Sequence, residues 1–252
     1  MRRFTRAANG RQLRAKAQLL EGIHLGRNIE LTAADRFQLS AYRADPIGTP
    51  RGGVVVIQEI FGVNHHIRSV CDRLAAAGYA AVAPALFDRQ QRGFECGYTP
   101  QERGAARKFV EKPDFAAMLR DTQAAVTQLQ DAGKVAVVGF CLGGSVAFAA
   151  AGQLNGLSTA VAYYGGQIAK LVNHRPKVAV MMHFGAMDQY IPPSDVDLIA
   201  QSCPDCEIHV YEGAGHGFHC DERDSYDKKS ADLAWGRTLE FLRQSLEQAG
   251  NP

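Results

Sequence analysis

Three short runs of consecutive apolar residues constrain the fold of this chain more than any other feature. They span Gly53–Ile57, Tyr79–Ala83 and Val135–Val138. Uninterrupted apolar strands are typical of a sheet that is buried on both faces. Stretches with helical spacing separate these runs, so strands and helices alternate along the chain. This alternation predicts an α/β fold with a mostly parallel central sheet and helices on both faces.

Other segments extend the same pattern. Ile29–Leu31 and Phe37–Tyr42 flank a polar turn, which predicts an antiparallel hairpin at one edge of the sheet. Residues 87–112 have no period and predict a long surface loop, a kind of segment that is commonly functional in compact domains. Further strands are predicted at Thr159–Tyr163, Lys177–His183 and Glu207–Tyr211, and helices at His66–Ala77, Asp114–Ala132, Gly143–Gly152, Ser194–Ser202 (with Ser194 as its cap) and Asp227–Gln248.

The N-terminal end of the chain differs in charge from the rest. Residues 1–28 carry seven arginines and lysines against one glutamate, which leaves the remaining residues mildly acidic. This basic arm fits a transit peptide, a nucleic-acid-binding arm or a poorly ordered extension, and the general disorder of chain termini favours the last. Residues 29–252 hold no internal repeat or low-complexity linker. We therefore expect a single domain over 29–252, preceded by a basic extension.

Bulk properties exclude several classes of function. The net charge of +2 predicts no nucleic-acid partner, and no apolar run reaches the roughly 18 residues that a membrane span needs. The six cysteines are irregularly spaced, which is unlike a secreted disulfide framework and favours the cytoplasm. Cys203 and Cys206 lack the second ligand pair of a zinc site, and no glycine-rich phosphate loop follows a predicted strand. We expect a cytoplasmic monomer that uses no metal or cofactor.

A candidate nucleophile, Cys141, follows the predicted strand Val135–Val138. It stands in the sequence Gly139-Phe140-Cys141-Leu142-Gly143, which has the spacing of a nucleophile elbow between a strand and a helix. Glycines on both sides remove Cβ atoms that would clash in so tight a turn. The helix that begins there offers free N–H groups and the positive end of its dipole, which favour a thiolate and an oxyanion. A small buried cysteine at a strand end is the alternative.

The other groups of a catalytic triad follow in the order that an elbow hydrolase requires. Asp188 and then His216 each lie in the loop after a later predicted strand. We expect His216 to take the thiol proton and Asp188 to orient the imidazole. The backbone N–H groups of Leu142 and Ile60 are the expected donors to the oxyanion.

From about residue 28 to the C-terminus, the chain resembles the dienelactone hydrolase family of the α/β-hydrolase fold. The cysteine elbow and the Glu-Ile-Phe-Gly loop are the most specific matches. Membership would imply that a small, anionic lactone or ester is opened through a thioester acyl-enzyme, the reaction of a carboxymethylenebutenolidase. The matching segments are Gln58–Gly62, Gly139–Gly144, Ala162–Gly165, Gly185–Asp188 and Gly213–Phe218.

The resemblance also implies roles for three more side chains. In that family a glutamate of the oxyanion loop lies beside the cysteine and helps to activate the thiol, and here that residue is Glu59. Arg89 matches an arginine that binds the substrate carboxylate, and Tyr164 matches a tyrosine that lines the pocket. A structural ion pair, a surface arginine and a packed tyrosine are the respective alternatives.

One position departs from the family pattern. Family members with the lactone activity tend to carry a second arginine four residues after the histidine, where this chain has Cys220, and Arg223 follows three residues later. One carboxylate anchor is therefore missing at its usual place. This leaves open a hydrolase of the same fold that acts on another carboxylic ester or a thioester. A non-catalytic binding protein with this fold is a third hypothesis.

Overall fold

The computed structural model describes residues 26–247, in which eight strands form one sheet in the order β1-β2-β4-β3-β5-β6-β7-β8. The predicted basic extension lies outside the described residues, except for residues 26–28, the last two of which belong to β1. The strands are β1 (Arg27–Thr32), β2 (Gln38–Ala44), β3 (Gly53–Ile57), β4 (Ala80–Pro84), β5 (Val135–Phe140), β6 (Leu157–Tyr163), β7 (Ala179–Gly185) and β8 (Glu207–Tyr211).

The sheet is parallel except at one edge. Strand β3 pairs in parallel with β4 and β5, and the strands from β5 to β8 continue in the same direction. Strands β1 and β2 form an antiparallel hairpin, and β2 is antiparallel to β4. The predicted parallel sheet with an edge hairpin is thus confirmed. Parallel strands end at the same edge of a sheet, so the loops that follow β3, β5, β7 and β8 lie along one side of the molecule.

Helices cover both faces of this sheet. Val54 and Val56 of β3 pack in a cluster with α1 and α7, whereas Val55 and Ile57 pack in a second cluster with α3 and α4. Neighbouring strand residues point to opposite faces, so a strand covered on both sides must be apolar throughout. The helices are α1 (His65–Ala76), α2 (Pro100–Arg107), α3 (Phe115–Gln128), α4 (Leu142–Gln153), α5 (Ile168–Leu171), α6 (Pro193–Ser202) and α7 (Lys228–Leu246), with 3-10 turns at Lys108–Val110 and Gln130–Ala132.

The segment 87–112 is not the uninterrupted loop that its lack of period predicts, because it contains α2. The Thr99 side chain accepts a hydrogen bond from the N–H of Glu102, and the Glu102 side chain accepts one from the N–H of Thr99. Pro100 occupies the first turn, where its missing N–H breaks no helical hydrogen bond. Only Ala106 of this helix is buried. A local capping box, rather than an apolar face, therefore defines α2.

The helix α6 also begins differently from the prediction. Its N-cap is Pro192, and no side chain caps it. Ser194 lies inside the first turn, so the capping role predicted for Ser194 is wrong. Pro193 starts the helix instead, since the fixed φ of proline suits the first helical position.

Candidate active site

Cys141 lies at the sharp turn between β5 and α4. Its φ is 54°, in a region that residues other than glycine rarely adopt. A Cβ atom on Gly139 would collide with the carbonyl oxygen of Gly143, and one on Gly143 would collide with that of Ile57. The elbow therefore requires glycine at both positions, as the sequence predicted. The turn leaves the Cys141 side chain partly exposed at the sheet edge.

His216 joins Cys141 to Asp188. Its Nε2 lies 3.1 Å from Cys141 Sγ, and its Nδ1 lies 2.7 Å from Asp188 Oδ2. The Asp188 side chain is fully buried, and its Oδ1 accepts a hydrogen bond of 2.8 Å from the N–H of Tyr190. The rings of Tyr164 and Tyr190 meet the imidazole edge to face, with centroids 5.2 and 5.1 Å away. The imidazole is thus held by a carboxylate and two aromatic rings, and only its Nε2 side faces the thiol.

The environment of His216 favours its charged form. Burial opposes protonation, but the sulfur of Cys141 and the carboxylate of Asp188 outweigh it and raise the pKa of His216 to about 10. An imidazolium beside the sulfur is the natural counter-ion of a thiolate. The electrostatics of the site therefore suit a nucleophilic sulfur at neutral pH.

The backbone around the thiol can receive a developing negative charge. Leu142 is the first residue of α4, and the N–H of Gly143 donates to the carbonyl oxygen of Gln58 over 3.1 Å. This bond fixes the start of α4 against the loop that carries Ile60. The N–H groups of Leu142 and Ile60 have no acceptor within residues 26–247. Free N–H groups at a helix start are suited to an oxyanion.

Glu59 lies in the same loop and is buried, with 1% of its surface exposed. Its Oε1 accepts a hydrogen bond of 2.9 Å from Nη1 of Arg223, and its Oε2 has no hydrogen-bond partner in the described part of the chain. The Arg223 guanidinium also lies over the rings of Phe61 and Tyr98, 5.7 and 5.9 Å from their centroids. A carboxylate and two aromatic faces therefore fix Arg223 beside the oxyanion loop.

A cavity of about 540 Å³, the Cys141 cavity, opens over this site. Four of the residues predicted from the sequence line it, namely Cys141, His216, Leu142 and Ile60. Asp188 does not line the cavity itself but contacts His216, which does. The structure thus brings the elbow, the histidine and both proposed donors to one opening.

A sequence profile of the dienelactone hydrolase family matches residues 39–246. The chain belongs to the dienelactone hydrolase family. Within it, the carboxymethylenebutenolidase of Pseudomonas putida is 34% identical over 230 residues, which cover 86% of this chain and 96% of that protein.

Solved structures agree with this membership. A protein from Klebsiella pneumoniae subsp. pneumoniae MGH 78578, provisionally named a dienelactone hydrolase, is 32% identical with a TM-score of 0.75, covering 87% of this chain and 99% of that one. The dienelactone hydrolase-like promiscuous phosphotriesterase P91 from metagenomic libraries has a TM-score of 0.72 at 21% identity, covering 88% and 99%. The second likeness concerns the fold alone. The predicted α/β-hydrolase fold is confirmed.

Arg89 does not lie where the family resemblance implied. Its guanidinium donates to Asp121 over 2.8 and 2.7 Å and to Asp35 over 2.9 and 3.0 Å. The Asp121 side chain is fully buried, and a buried carboxylate needs a cationic partner. Arg89 is not among the residues that line the Cys141 cavity. The implied role in substrate binding is therefore corrected to an ion-pair network that ties the loop after β4 to α3 and to the β1–β2 turn.

Tyr164 also departs from its implied position in the pocket. It is fully buried behind His216 and is not part of the cavity lining. Burial raises the pKa of its hydroxyl well above the usual value, so the phenol stays neutral. The hydroxyl has no hydrogen-bond partner within residues 26–247. Tyr164 therefore supports the imidazole by packing and does not contact the space that a substrate would fill.

Cys220, at the family's second arginine position, cannot act as a cation. Its buried thiol donates a weak hydrogen bond to the hydroxyl of Tyr98 over 3.2 Å. Burial and the nearby Glu59 carboxylate raise the pKa of this thiol to about 12, so it is neutral at pH 7. Arg223 lines the Cys141 cavity instead. A guanidinium thus reaches the cavity from a position three residues later in the chain.

Two other groups at this site could not be predicted directly from the sequence. Tyr98 and the cations of α2 come from the segment 87–112, which anchors to the oxyanion loop through a bridge between Gly62 and Glu95 and a hydrogen bond of 3.0 Å from Cys96 N–H to Phe61 O. The Thr99–Glu102 spacing was the one local signal of this helix. Only the fold places the helix beside the nucleophile.

No group of three or more histidine, cysteine, aspartate or glutamate side chains among residues 26–247 is placed to hold a metal ion. None of the helices in this part of the chain is both long and apolar enough to cross a membrane. All six cysteines are free thiols.

Proposed function

We propose that this protein is a cysteine-dependent hydrolase that opens a small, anionic lactone or ester, with the activity of a carboxymethylenebutenolidase. The observation that carries the proposal is the unbroken line of contacts from Cys141 Sγ through His216 to Asp188, over 3.1 and 2.7 Å. Membership of the dienelactone hydrolase family supports the same class of reaction.

The first step forms a thioester. The Cys141 thiolate attacks the carbonyl carbon, and the carbonyl oxygen becomes an oxyanion that the N–H groups of Leu142 and Ile60 stabilise. Collapse of this intermediate breaks the C–O bond of the ester, and the leaving oxygen takes the proton from His216 Nε2. When the substrate is a lactone, the resulting alcohol or enol stays attached to the acyl chain.

The second step consumes one water molecule. Neutral His216 accepts a proton from the water as its oxygen attacks the thioester carbon, and Asp188 stabilises the imidazolium that forms. Cleavage of the C–S bond releases the carboxylic acid and restores the thiolate beside the imidazolium. Water is the only co-reactant in this sequence.

Glu59 is the residue to which the family resemblance assigns a role in activating the thiol. Its carboxylate is buried in the oxyanion loop, with one oxygen paired to Arg223 and the other without a partner in residues 26–247. Arg223 also lines the Cys141 cavity, so its ion pair links the Glu59 carboxylate to the space around the sulfur. We assign Glu59 to the activation of the thiol.

The Cys141→Ala variant tests the nucleophile. We expect it to fold with unchanged thermal unfolding and to lose hydrolysis of dienelactone and of 4-nitrophenyl acetate by a factor on the order of 10³ or more. Intact-mass measurement should find an acyl adduct on the wild type during turnover and none on the variant. Cys206→Ala is the matched control, since this thiol lies between α6 and β8 and lines no part of the Cys141 cavity. Full activity in Cys141→Ala contradicts the proposal.

A second candidate is a hydrolase of another carboxylic ester or of a thioester. Cys220 is neutral and Arg89 is held by two carboxylates, so neither of the two positions at which the resemblance predicts an arginine brings a cation into the Cys141 cavity. The test compares kcat/KM for dienelactone, a neutral aryl ester and a neutral thioester. A preference for either neutral substrate supports this second candidate, and a preference for dienelactone supports the first.

We also propose that the enzyme is a cytoplasmic monomer with one catalytic domain over residues 29–252. Six free thiols support a reducing compartment, where disulfides rarely persist. Light scattering of the purified protein under reducing conditions tests the oligomeric state. A mass of twice that of the 27.4 kDa chain contradicts the monomer.

A further inference from the structure

The charges of the Cys141 cavity are unevenly balanced. Its buried lining includes Phe61 and Leu142, which offer an apolar surface close to the sulfur. Apart from the Cys141–His216 pair, its charged lining consists of four cations and one carboxylate, namely Arg103, Arg107, Lys170, Arg223 and Glu111. A substrate that fills the cavity therefore meets an apolar wall and an excess of positive charge.

Two of the four cations already have partners within the protein. Arg223 is paired with the buried Glu59 over 2.9 Å. Arg103 donates from Nε to the carbonyl oxygen of Tyr98 over 2.6 Å, and its Nη2 lies 3.9 Å from Asp224. These contacts bring a carboxylate of the protein close to each of the two guanidinium groups. The charge of each group is therefore partly neutralised within the protein.

Arg107 and Lys170 are different. Both are exposed, so they lie at the mouth of the cavity rather than at its base. Neither forms an ion pair with any carboxylate of residues 26–247, and the only side-chain hydrogen bond of Lys170 goes to Gln167 Oε1 over 3.1 Å. Arg107 is the last residue of α2, and Lys170 belongs to α5, so two separate parts of the chain bring unpaired cations to one opening.

We propose that Arg107 and Lys170 form a subsite for an anionic group of the substrate, placed away from the bond that is cleaved. This inference rests on the proposed function, because it assumes that the substrate carbonyl meets Cys141. A guanidinium and an ammonium on one opening attract a carboxylate and orient it, while the apolar wall holds the carbon chain between the two ends. The substrate class is then an ester or lactone with a distal carboxylate.

Removal of the negative charge of Glu111 should have the opposite effect on anion binding to removal of a cation. It is exposed, lines the same cavity and opposes the binding of an anion. Removing its charge should therefore improve recognition of an anionic substrate, whereas removing Arg107 or Lys170 should weaken it. A merely structural role for these side chains would not give opposite effects on one substrate.

The experiment uses two esters with acyl chains of equal length, the neutral 4-nitrophenyl hexanoate and the anionic mono-4-nitrophenyl adipate. For Arg107→Gln/Lys170→Gln we expect kcat/KM to fall about tenfold on the adipate ester through KM, with a change below about twofold on the hexanoate ester. Glu111→Gln should lower KM for the adipate ester alone. High salt should reduce the wild-type preference and leave the double variant unaffected. Lys108→Gln is the matched control, since Lys108 is exposed beside Arg107 but lies outside the cavity lining.

Three results would contradict the proposed subsite. They are equal changes on both esters, an effect of Lys108→Gln as large as that of the double variant, and a wild type without preference for the adipate ester. Hydrolysis of the hexanoate ester by Cys141→Ala at the wild-type rate contradicts the proposed function instead. If the wild type hydrolyses neither ester, calorimetric binding of the adipate monoester to the same variants decides the subsite, and a Kd equal in all of them refutes it.

Discussion

Arg223 donates from Nη1 to Glu59 Oε1 over 2.9 Å, although it follows His216 by seven residues. Cys220 occupies the position four residues after the histidine, and the chain still returns a guanidinium to the oxyanion loop. Gly217 makes this route possible, because a Cβ atom there would collide with the Arg223 guanidinium. The path of the backbone after His216 therefore brings a guanidinium to the oxyanion loop without an arginine at position 220.

The Glu59–Arg223 pair should contribute strongly to stability. Arg223→Met leaves a buried carboxylate without its cation, and breaking a buried pair in this way costs roughly 3–5 kcal/mol. We expect the free energy of unfolding in urea to fall by about that amount. Glu59→Gln/Arg223→Met should recover most of the loss, because no buried charge is stranded. An equal loss in the single and double variants would indicate that Arg223 acts by packing alone.

His216 should give the thiol a distinctive pH dependence. Its pKa is raised from 6.5 to about 10, so the imidazolium and the stability it confers are present below pH 6.5 and are lost as the pH rises through 10. We expect alkylation of Cys141 by iodoacetamide, followed by peptide mass spectrometry, to change little in rate from pH 7 to pH 9. In His216→Gln the rate at pH 7 should fall about tenfold, because the sulfur loses its cationic partner. Matching profiles in the two proteins would argue against the ion pair.

Arg89 should affect stability rather than substrate recognition. Arg89→Ala leaves Asp121 buried without a cation, which should lower the free energy of unfolding by about 3 kcal/mol. KM for the anionic adipate ester should remain within about twofold of the wild-type value, since the guanidinium lies outside the Cys141 cavity. A selective rise in that KM, with stability unchanged, would restore the substrate-binding role.

Buried histidines should make the protein sensitive to acid. Burial lowers the pKa of His66 and holds that of His219 well below 6.5. Below pH 6.5 these histidines are therefore protonated in the unfolded chain but remain neutral in the folded protein. Their full contribution to stability is present above pH 6.5 and decreases as the pH falls towards the folded-state pKa values. The free energy of unfolding falls by up to roughly 1.4 kcal/mol per pH unit for each group. Urea midpoints at pH 7.5 and 5 measure this loss.

His219→Phe separates this effect from general acid denaturation. The His219 ring stacks on Phe140 with centroids 5.2 Å apart, and a phenyl ring can occupy a similar space. We expect the variant to lose less stability between pH 7.5 and pH 5 than the wild type. His174→Phe, at an exposed position, should lose as much as the wild type. Equal losses in all three proteins would place the acid sensitivity elsewhere.

Much of the fold could be predicted because the sheet is buried on both faces. Val54, Val55 and Val56 cannot alternate with polar residues when helices cover both sides, so the strands were visible as apolar runs. The proximity of Cys141 and His216 could be predicted as well, because the loops that follow parallel strands lie at the same edge of the sheet. The sequence therefore predicted that the loops carrying Cys141 and His216 lie next to each other.

The charged contacts could not be predicted in the same way. Arg89 and Arg223 are both arginines in polar segments, and nothing local distinguishes one held by Asp121 from one held by Glu59. Each partner is distant in sequence, 32 and 164 residues away respectively. Side-chain pairing of this kind depends on the final packing of the loops.

The helix α2 is only loosely packed against the rest of the protein, which affects how its sequence can change during evolution. The helix buries only Ala106 and is defined by its own capping box, while the reacting groups lie in the turns and loops that follow β5, β7 and β8. Most positions of α2 can therefore vary at little thermodynamic cost, and their changes reach the mouth of the cavity without disturbing the sulfur or the imidazole. A mutational library limited to the exposed positions of α2 could therefore alter substrate choice while Cys141, His216 and Asp188 stay unchanged.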